Sequence, residues 1–237
     1  MGVAWLAALM AAASFAPPPA DARFDYQIGE PYKPPRSGYA ICYVNAFQTQ
    51  PDARWPPGLV LRELGDDPNW GGEYLLDIST PAKRRRIADR VQPWIETCAR
   101  KGFDAVEYDN LDSWTRFDDT PREGDVPFGK RAALAYARLI ARRAHRLGLA
   151  VAQKNTVELT RTQVRRVGFD FAIAEECGRY RECDGYRRLY GDRVVAIEYR
   201  RRDFRAACRA VGDRISVVLR DRNVTAPGSR TYCYDEC

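Results

Sequence analysis

Gly102-Phe103-Asp104-Ala105-Val106-Glu107-Tyr108-Asp109-Asn110-Leu111-Asp112 (GFDAVEYDNLD) reads as a buried strand running into a cluster of acids. Side chains alternate faces along a strand, so Phe103, Ala105, Glu107 and Asp109 share one side. Two carboxylates on an inward face are costly to bury without partners. The economical reading is a strand that ends at a cleft where charge has a use. Phe169-Asp170-Phe171-Ala172-Ile173-Ala174-Glu175-Glu176-Cys177 repeats the pattern. Two strands ending in carboxylates point to a hydrolase that works with a pair of acids.

Outward from these segments the chain alternates strand and helix. Strands are expected at 24–28, 39–45, 73–78, 103–109, 149–154, 169–175, 193–199 and 215–220. Helical patterns fill 81–101, 128–147, 157–167, 179–190 and 202–211, the first opened by Ser79 or Thr80 as cap and by Pro81. The strands are apolar throughout, as parallel strands covered by helices are. Eight candidate strands in repeated αβ units favour a (β/α)8 TIM barrel over an open doubly wound sheet, and no Gly-rich nucleotide fingerprint follows the first strand. Residues 46–72, rich in Pro, Gly and Asp, read as a long loop.

At 237 residues the chain has the length of one such barrel. The expected organisation is an export signal at 1–22 and a single domain at 23–237. Val3 to Ala16 is apolar but too short for a membrane span, and Ala20-Asp21-Ala22 forms an A-x-A cleavage site. A disordered apolar tail or an uncleaved anchor is the alternative. The mature protein is expected outside the cell, as a monomer without stable membrane insertion. The net charge of +6 permits nucleic-acid binding, but no nucleic-acid motif accompanies it, so the arginines read as solvated helix faces.

Seven cysteines agree with export. The expected pairs are Cys177 with Cys183, Cys208 with Cys237, and Cys42 with Cys98. Cys233 is left as a free thiol or as the rival partner of Cys208. No C-x-x-C pair occurs and His145 is the single histidine, which removes Ser-His-Asp and Cys-His schemes and most zinc sites. Neither metal nor cofactor is expected, and carboxylates must carry the chemistry. Strand C-termini, where barrel enzymes hold their sites, bring Asp77, Glu107, Asp109, Asn110, Lys154, Asn155, Glu175 and Glu198 together in this reading. Glu107 should lie one step below Asp109, more buried and tuning its charge. Lys154 should stand beside the pair as a fixed cation.

Read in order, Phe24-Asp25-Tyr26-Gln27, Cys42-Tyr43-Val44-Asn45-Ala46-Phe47, Tyr74-Leu75-Leu76-Asp77, GFDAVEYDNLD, Gln153-Lys154-Asn155, Phe171 to Cys177 and Ile197-Glu198-Tyr199 resemble glycoside hydrolase family 114. The likeness runs through nearly the whole mature chain. It implies an endo-α-1,4-polygalactosaminidase-like barrel, a galactosamine polymer as substrate, and catalytic acids at Asp109 and Glu175. The remaining strand-end residues and Tyr199 would bind substrate. Between the Pro31–Pro35 stretch and Tyr39 the chain is shorter than the resemblance calls for, so one strand near the N-terminus is expected to be missing or atypical. Deacetylated galactosamine polymers are cationic and suit an acidic cleft, and Tyr43, Tyr108, Trp114 and Tyr199 are candidate stacking residues, with Tyr108 alternating to the helix side. A barrel of the same fold that binds carbohydrate with weakened turnover, and a hydrolase or lyase of another polymer, are the alternatives.

Overall fold

The computed structural model describes residues 38–51, 53–225 and 227–237. The expected export signal at 1–22 and the strand expected at 24–28 lie outside these residues. One sheet orders its seven strands as they occur in the chain. They are β1 (Ile41–Asn45), β2 (Ala105–Asp109), β3 (Ala150–Lys154), β4 (Phe171–Glu175), β5 (Val194–Glu198), β6 (Ser216–Arg220) and β7 (Tyr234–Glu236). The first six pair in parallel and β7 runs antiparallel to β6. Consecutive parallel neighbours joined by helices are the winding of a barrel rather than of a doubly wound sheet. The strands therefore end on one common face.

The helices are α1 (Pro81–Arg100), α2 (Lys130–Arg146), α3 (Arg161–Val167), α4 (Cys177–Tyr180), α5 (Cys183–Tyr190) and α6 (Arg201–Val211). Thr80 caps α1 by accepting the Lys83 N–H, with Pro81 at the first helical position, where its missing donor is no loss. Ile87, Ala88, Val91, Ile95 and Cys98 form the buried stripe that α1 lays on the sheet.

Two apolar cores follow from strand alternation. Val194 and Ala196 of β5 belong to the core between sheet and helices. Val195 and Ile197 join Ala105, Ala150, Ala152, Phe171, Ile173 and Val218 in a smaller core on the sheet's inner face. That inner core fills the lower part of the strands, and the charged residues of β2, β3 and β4 stand on the same face above it. Disulfides join Cys42 to Cys98, Cys177 to Cys183, and Cys208 to Cys237, leaving Cys233 free.

Three elements differ from the sequence reading. Residues 73–78 form no strand of the sheet; Leu75 and Leu76 make isolated antiparallel bridges to Gln48 and Val60, folding the segment against the loop after β1. The helix expected over 179–190 is broken at Arg181, whose φ of 60° is left-handed, and the Cys177–Cys183 disulfide spans the break. The short strand β7 had no sequence signal, because Tyr234, Asp235 and Glu236 carry no apolar alternation. Its pairing with β6 is supported by the nearby link from Cys237 to α6.

Candidate active site

Lys154 closes β3 with its ammonium in the barrel interior, 2% exposed. It lies 2.6 Å from Glu107 Oε1, 3.0 Å from Asp109 Oδ1 and 3.4 Å from Glu175 Oε2. The contacts follow from alternation, because the ends of β2, β3 and β4 present Glu107, Asp109, Lys154 and Glu175 to one face. Burial pushes the Glu107 carboxyl up to about 7, against the opposing pull of Lys154. At Asp109 burial also works upward, but Lys154, the Tyr43 hydroxyl and the Asn110 N–H outweigh it and hold the carboxyl below its ordinary value.

Each acid at the rim has its own supports. Tyr43 on β1 donates to Asp109 Oδ2 at 2.7 Å, and the Asn110 N–H donates to Oδ1 at 2.8 Å. Glu175 accepts from the Tyr199 hydroxyl through Oε1 and from Asn155 Nδ2 at 3.1 Å through Oε2. The Asn155 side chain also accepts the Glu175 N–H at 2.9 Å, so one amide fixes both ends of that residue. Asn110 and Asn155 have left-handed backbones, with φ of 62° and 48°, a conformation that asparagine tolerates better than most side chains. Their turns lead the chain out of the sheet immediately after Asp109 and after Lys154.

Two of the residues expected at the cleft have other partners. Glu198 sits on the opposite parity from Val195, Ile197 and Tyr199, so its carboxylate faces the helices, where it accepts the Gly178 N–H at 2.6 Å. Burial first, with the charges of Asp203 and Glu176, pushes that carboxyl up to about 7. Asp77, displaced with the 73–78 segment, accepts from Ser79 and pairs with Lys83 at the start of α1. Tyr108 alternates to the helix side and donates to the Ile140 carbonyl at 3.2 Å.

The sequence reading passed over several groups. Asn45 at the end of β1 donates to Glu73 Oε2 at 2.7 Å and accepts from Asn110 Nδ2 at 3.0 Å, extending the polar network toward the loop. Burial raises Glu73 to about 7 although the Asn45 hydrogen bond opposes it. Asp112 is pushed to about 6 by burial and by the charge of Asp109. Asn45 carried the same strand-end signal as Lys154, whereas the place of Glu73 depends on the fold of its loop. Above the acids opens a cleft of about 700 Å³, lined by Asp112, Asn155, Glu175, Glu176 and Tyr199 among others.

A strand-end acid pair above a parallel barrel is the arrangement of many glycosidases, and the sequence profile of glycoside-hydrolase family GH114 matches residues 35–237. The chain belongs to glycoside hydrolase family 114. It is thus a glycosidase by family, and its sheet is the family barrel with an atypical edge. Ega3 of Aspergillus fumigatus, solved in complex with galactosamine, is similar with a TM-score of 0.64 and 22% identity, over 84% of this chain and 79% of that one. The glycoside hydrolase domain of PelA from Pseudomonas aeruginosa, solved as a variant, gives a TM-score of 0.55 at 15% identity over 81% of each chain. Both likenesses are of fold. No curated protein matches the sequence.

Proposed function

We propose that this family 114 protein is a secreted glycosidase that cleaves α-1,4-linked galactosamine polymers, with Asp109 and Glu175 as the catalytic pair. The observation that carries the reading is the shared contact of both carboxylates with buried Lys154, together with the open cleft that Glu175 lines. Galactosamine bound to a protein of the same fold supports the substrate class. The three disulfides support a location outside the cell.

Asp109 has the attributes of the nucleophile. Its closer contact with Lys154 and its donors from Tyr43 and Asn110 keep it ionised. Glu175 is the proton donor to the glycosidic oxygen. Its longer contact with Lys154 gives it the weakest claim of the three acids on that cation. The nearest oxygens of the pair are no farther apart than the two Nζ contacts, 3.0 and 3.4 Å, laid end to end. That bound admits the ~5–5.5 Å of a retaining pair and leaves little room for the ~6.5–9.5 Å of an inverting one. In the first step Asp109 attacks the anomeric carbon as Glu175 protonates the leaving oxygen. In the second, water deprotonated by Glu175 releases the sugar with its configuration retained.

Incubation with partly deacetylated α-1,4-linked galactosaminogalactan tests the proposal. Soluble oligomers are expected, with the α-anomer appearing first by NMR. Binding without release would instead favour a carbohydrate-binding barrel, and neither binding nor release would favour a different polymer.

A further inference from the structure

Large apolar side chains exposed on a folded protein call for an explanation when they gather at one place. Among the described residues three stand out, Trp70 at 46% exposure, Leu147 at 37% and Tyr180 at 59%. Trp70 and Tyr180 both line the cleft above the acids. They reach it from different elements, Trp70 from the loop after β1 and Tyr180 from the end of α4 after β4.

The backbone that carries Trp70 and the ring of Tyr180 are both held. Asp67 accepts the N–H groups of Asn69 and Trp70, and its other oxygen pairs with Arg116 at 3.0 Å. Arg116 also donates to the Asp66 carbonyl at 2.7 Å, fastening the Trp70 turn to the segment that follows Asp109. Tyr180 ends a single turn of helix whose first residue is tied by the Cys177–Cys183 disulfide. The Arg179 guanidinium lies 5.0 Å from the centre of the Tyr180 ring and is itself anchored 2.7 Å from Glu176. Neither side chain is needed to fill the core, yet the surrounding structure fixes the backbone from which each is presented.

We propose that Trp70 and Tyr180 are stacking platforms that bind hexosamine rings of the polymer on either side of the scissile bond. The inference rests on the activity proposed above and adds to it the residues that grip the substrate beyond the catalytic pair. Trp70 lies on a turn fastened to the segment that follows Asp109, and Tyr180 on the helix that follows the Glu175 strand, so each ring reaches the cleft from the side of a different acid. A galactose-configured ring offers one face of C–H groups to an aromatic plane, and an unacetylated amine adds attraction of a cation to that plane. A cleft of about 700 Å³ falls in the range that takes ligands larger than a single sugar.

The test compares Trp70→Ala, Tyr180→Ala and the conservative Trp70→Phe and Tyr180→Phe on partly deacetylated polymer, measuring both cleavage and equilibrium binding. Each alanine variant should raise KM and Kd by about 3- to 10-fold, with kcat changed by less than about two-fold. The phenylalanine variants should restore most of the loss, and the thermal midpoint should stay near that of the wild type because both side chains are exposed. Unchanged KM and Kd in both alanine variants would overturn the platforms, as would a fall in kcat alone. A wild type that binds but does not cleave would refute the proposed activity, and the Kd comparison would still decide the platforms. A wild type that does neither would overturn both.

Discussion

Two groups of buried and half-buried acids lie at the same end of the sheet and differ in the face they occupy. Glu107, Asp109 and Glu175 surround Lys154 on the inner face, and Glu175 lines the cleft. Glu198 and Asp203 lie on the outer face, where Glu198 accepts the Gly178 N–H and meets the charge of Asp203. Glu198 and its inward neighbour Tyr199 are adjacent in sequence, yet Tyr199 reaches Glu175 and Glu198 does not. Parity along the strand therefore decides which strand-end acids can act on a substrate. The partners differ as well, since inside Lys154 helps hold Asp109 below its ordinary value, whereas outside Glu198 Oε2 and Asp203 Oδ2 are buried without a hydrogen-bond partner.

The comparison breaks most visibly at Glu175. Glu175→Gln keeps the size and part of the hydrogen bonding but cannot deliver a proton, so kcat on the polymer should fall by about 10²–10⁴-fold. An equal loss in Glu198→Gln would show that the two faces are not distinct in function. Lys154→Met leaves three acids facing one another and should cost about 3–5 kcal/mol of stability. That loss should be larger at pH 8 than at pH 5, because the acids then lose the Lys154 charge and repel one another most when ionised. Denaturant unfolding at the two pH values checks both the size and the sign.

Smaller effects are expected away from the inner face. Asp77→Ala removes the acceptor for Ser79 and Lys83 and should lower stability by about 1–2 kcal/mol while changing turnover by less than about two-fold. Glu198→Gln should instead raise stability at high pH, with turnover likewise changed by less than about two-fold. Burial raises the Glu198 carboxyl from its ordinary 4.5 to about 7, so its contribution to stability is complete below the lower value and is lost as pH rises through the upper one. Glutamine does not ionise, and the variant should match the wild type near pH 4 and exceed it by a few degrees at pH 8, about 2–4 °C for each kcal/mol regained. Thermal scans across that range would decide the sign.

Much of this arrangement is legible along the chain. The alternation in GFDAVEYDNLD and in Phe171 to Glu175 placed Glu107, Asp109 and Glu175 on inward faces, where they now share Lys154. The same rule applied to Val194–Glu198 would have put Glu198 outside. Listing strand-end acids without checking parity hid this. Asp77 was misplaced for another reason, because an apolar run such as Tyr74-Leu75-Leu76 has the composition of a strand wherever it pairs. Here it bridges to Gln48 and Val60 instead of entering the sheet. The hydrogen bonds from Tyr43 to Asp109 and from Asn45 to Glu73 depend on the register of β1 with β2 and on the path of a long loop. Neither is written in any local pattern.

The central claim is that Asp109 attacks the glycosidic carbon. Single-turnover and steady-state kinetics of Asp109→Asn on deacetylated galactosamine polymer, alongside its thermal midpoint, test it most directly. The account predicts a loss of about 10³-fold or more in kcat, with the fold retained and polymer binding preserved. An Asp109→Asn protein that folds normally and turns over at close to the wild-type rate would contradict it.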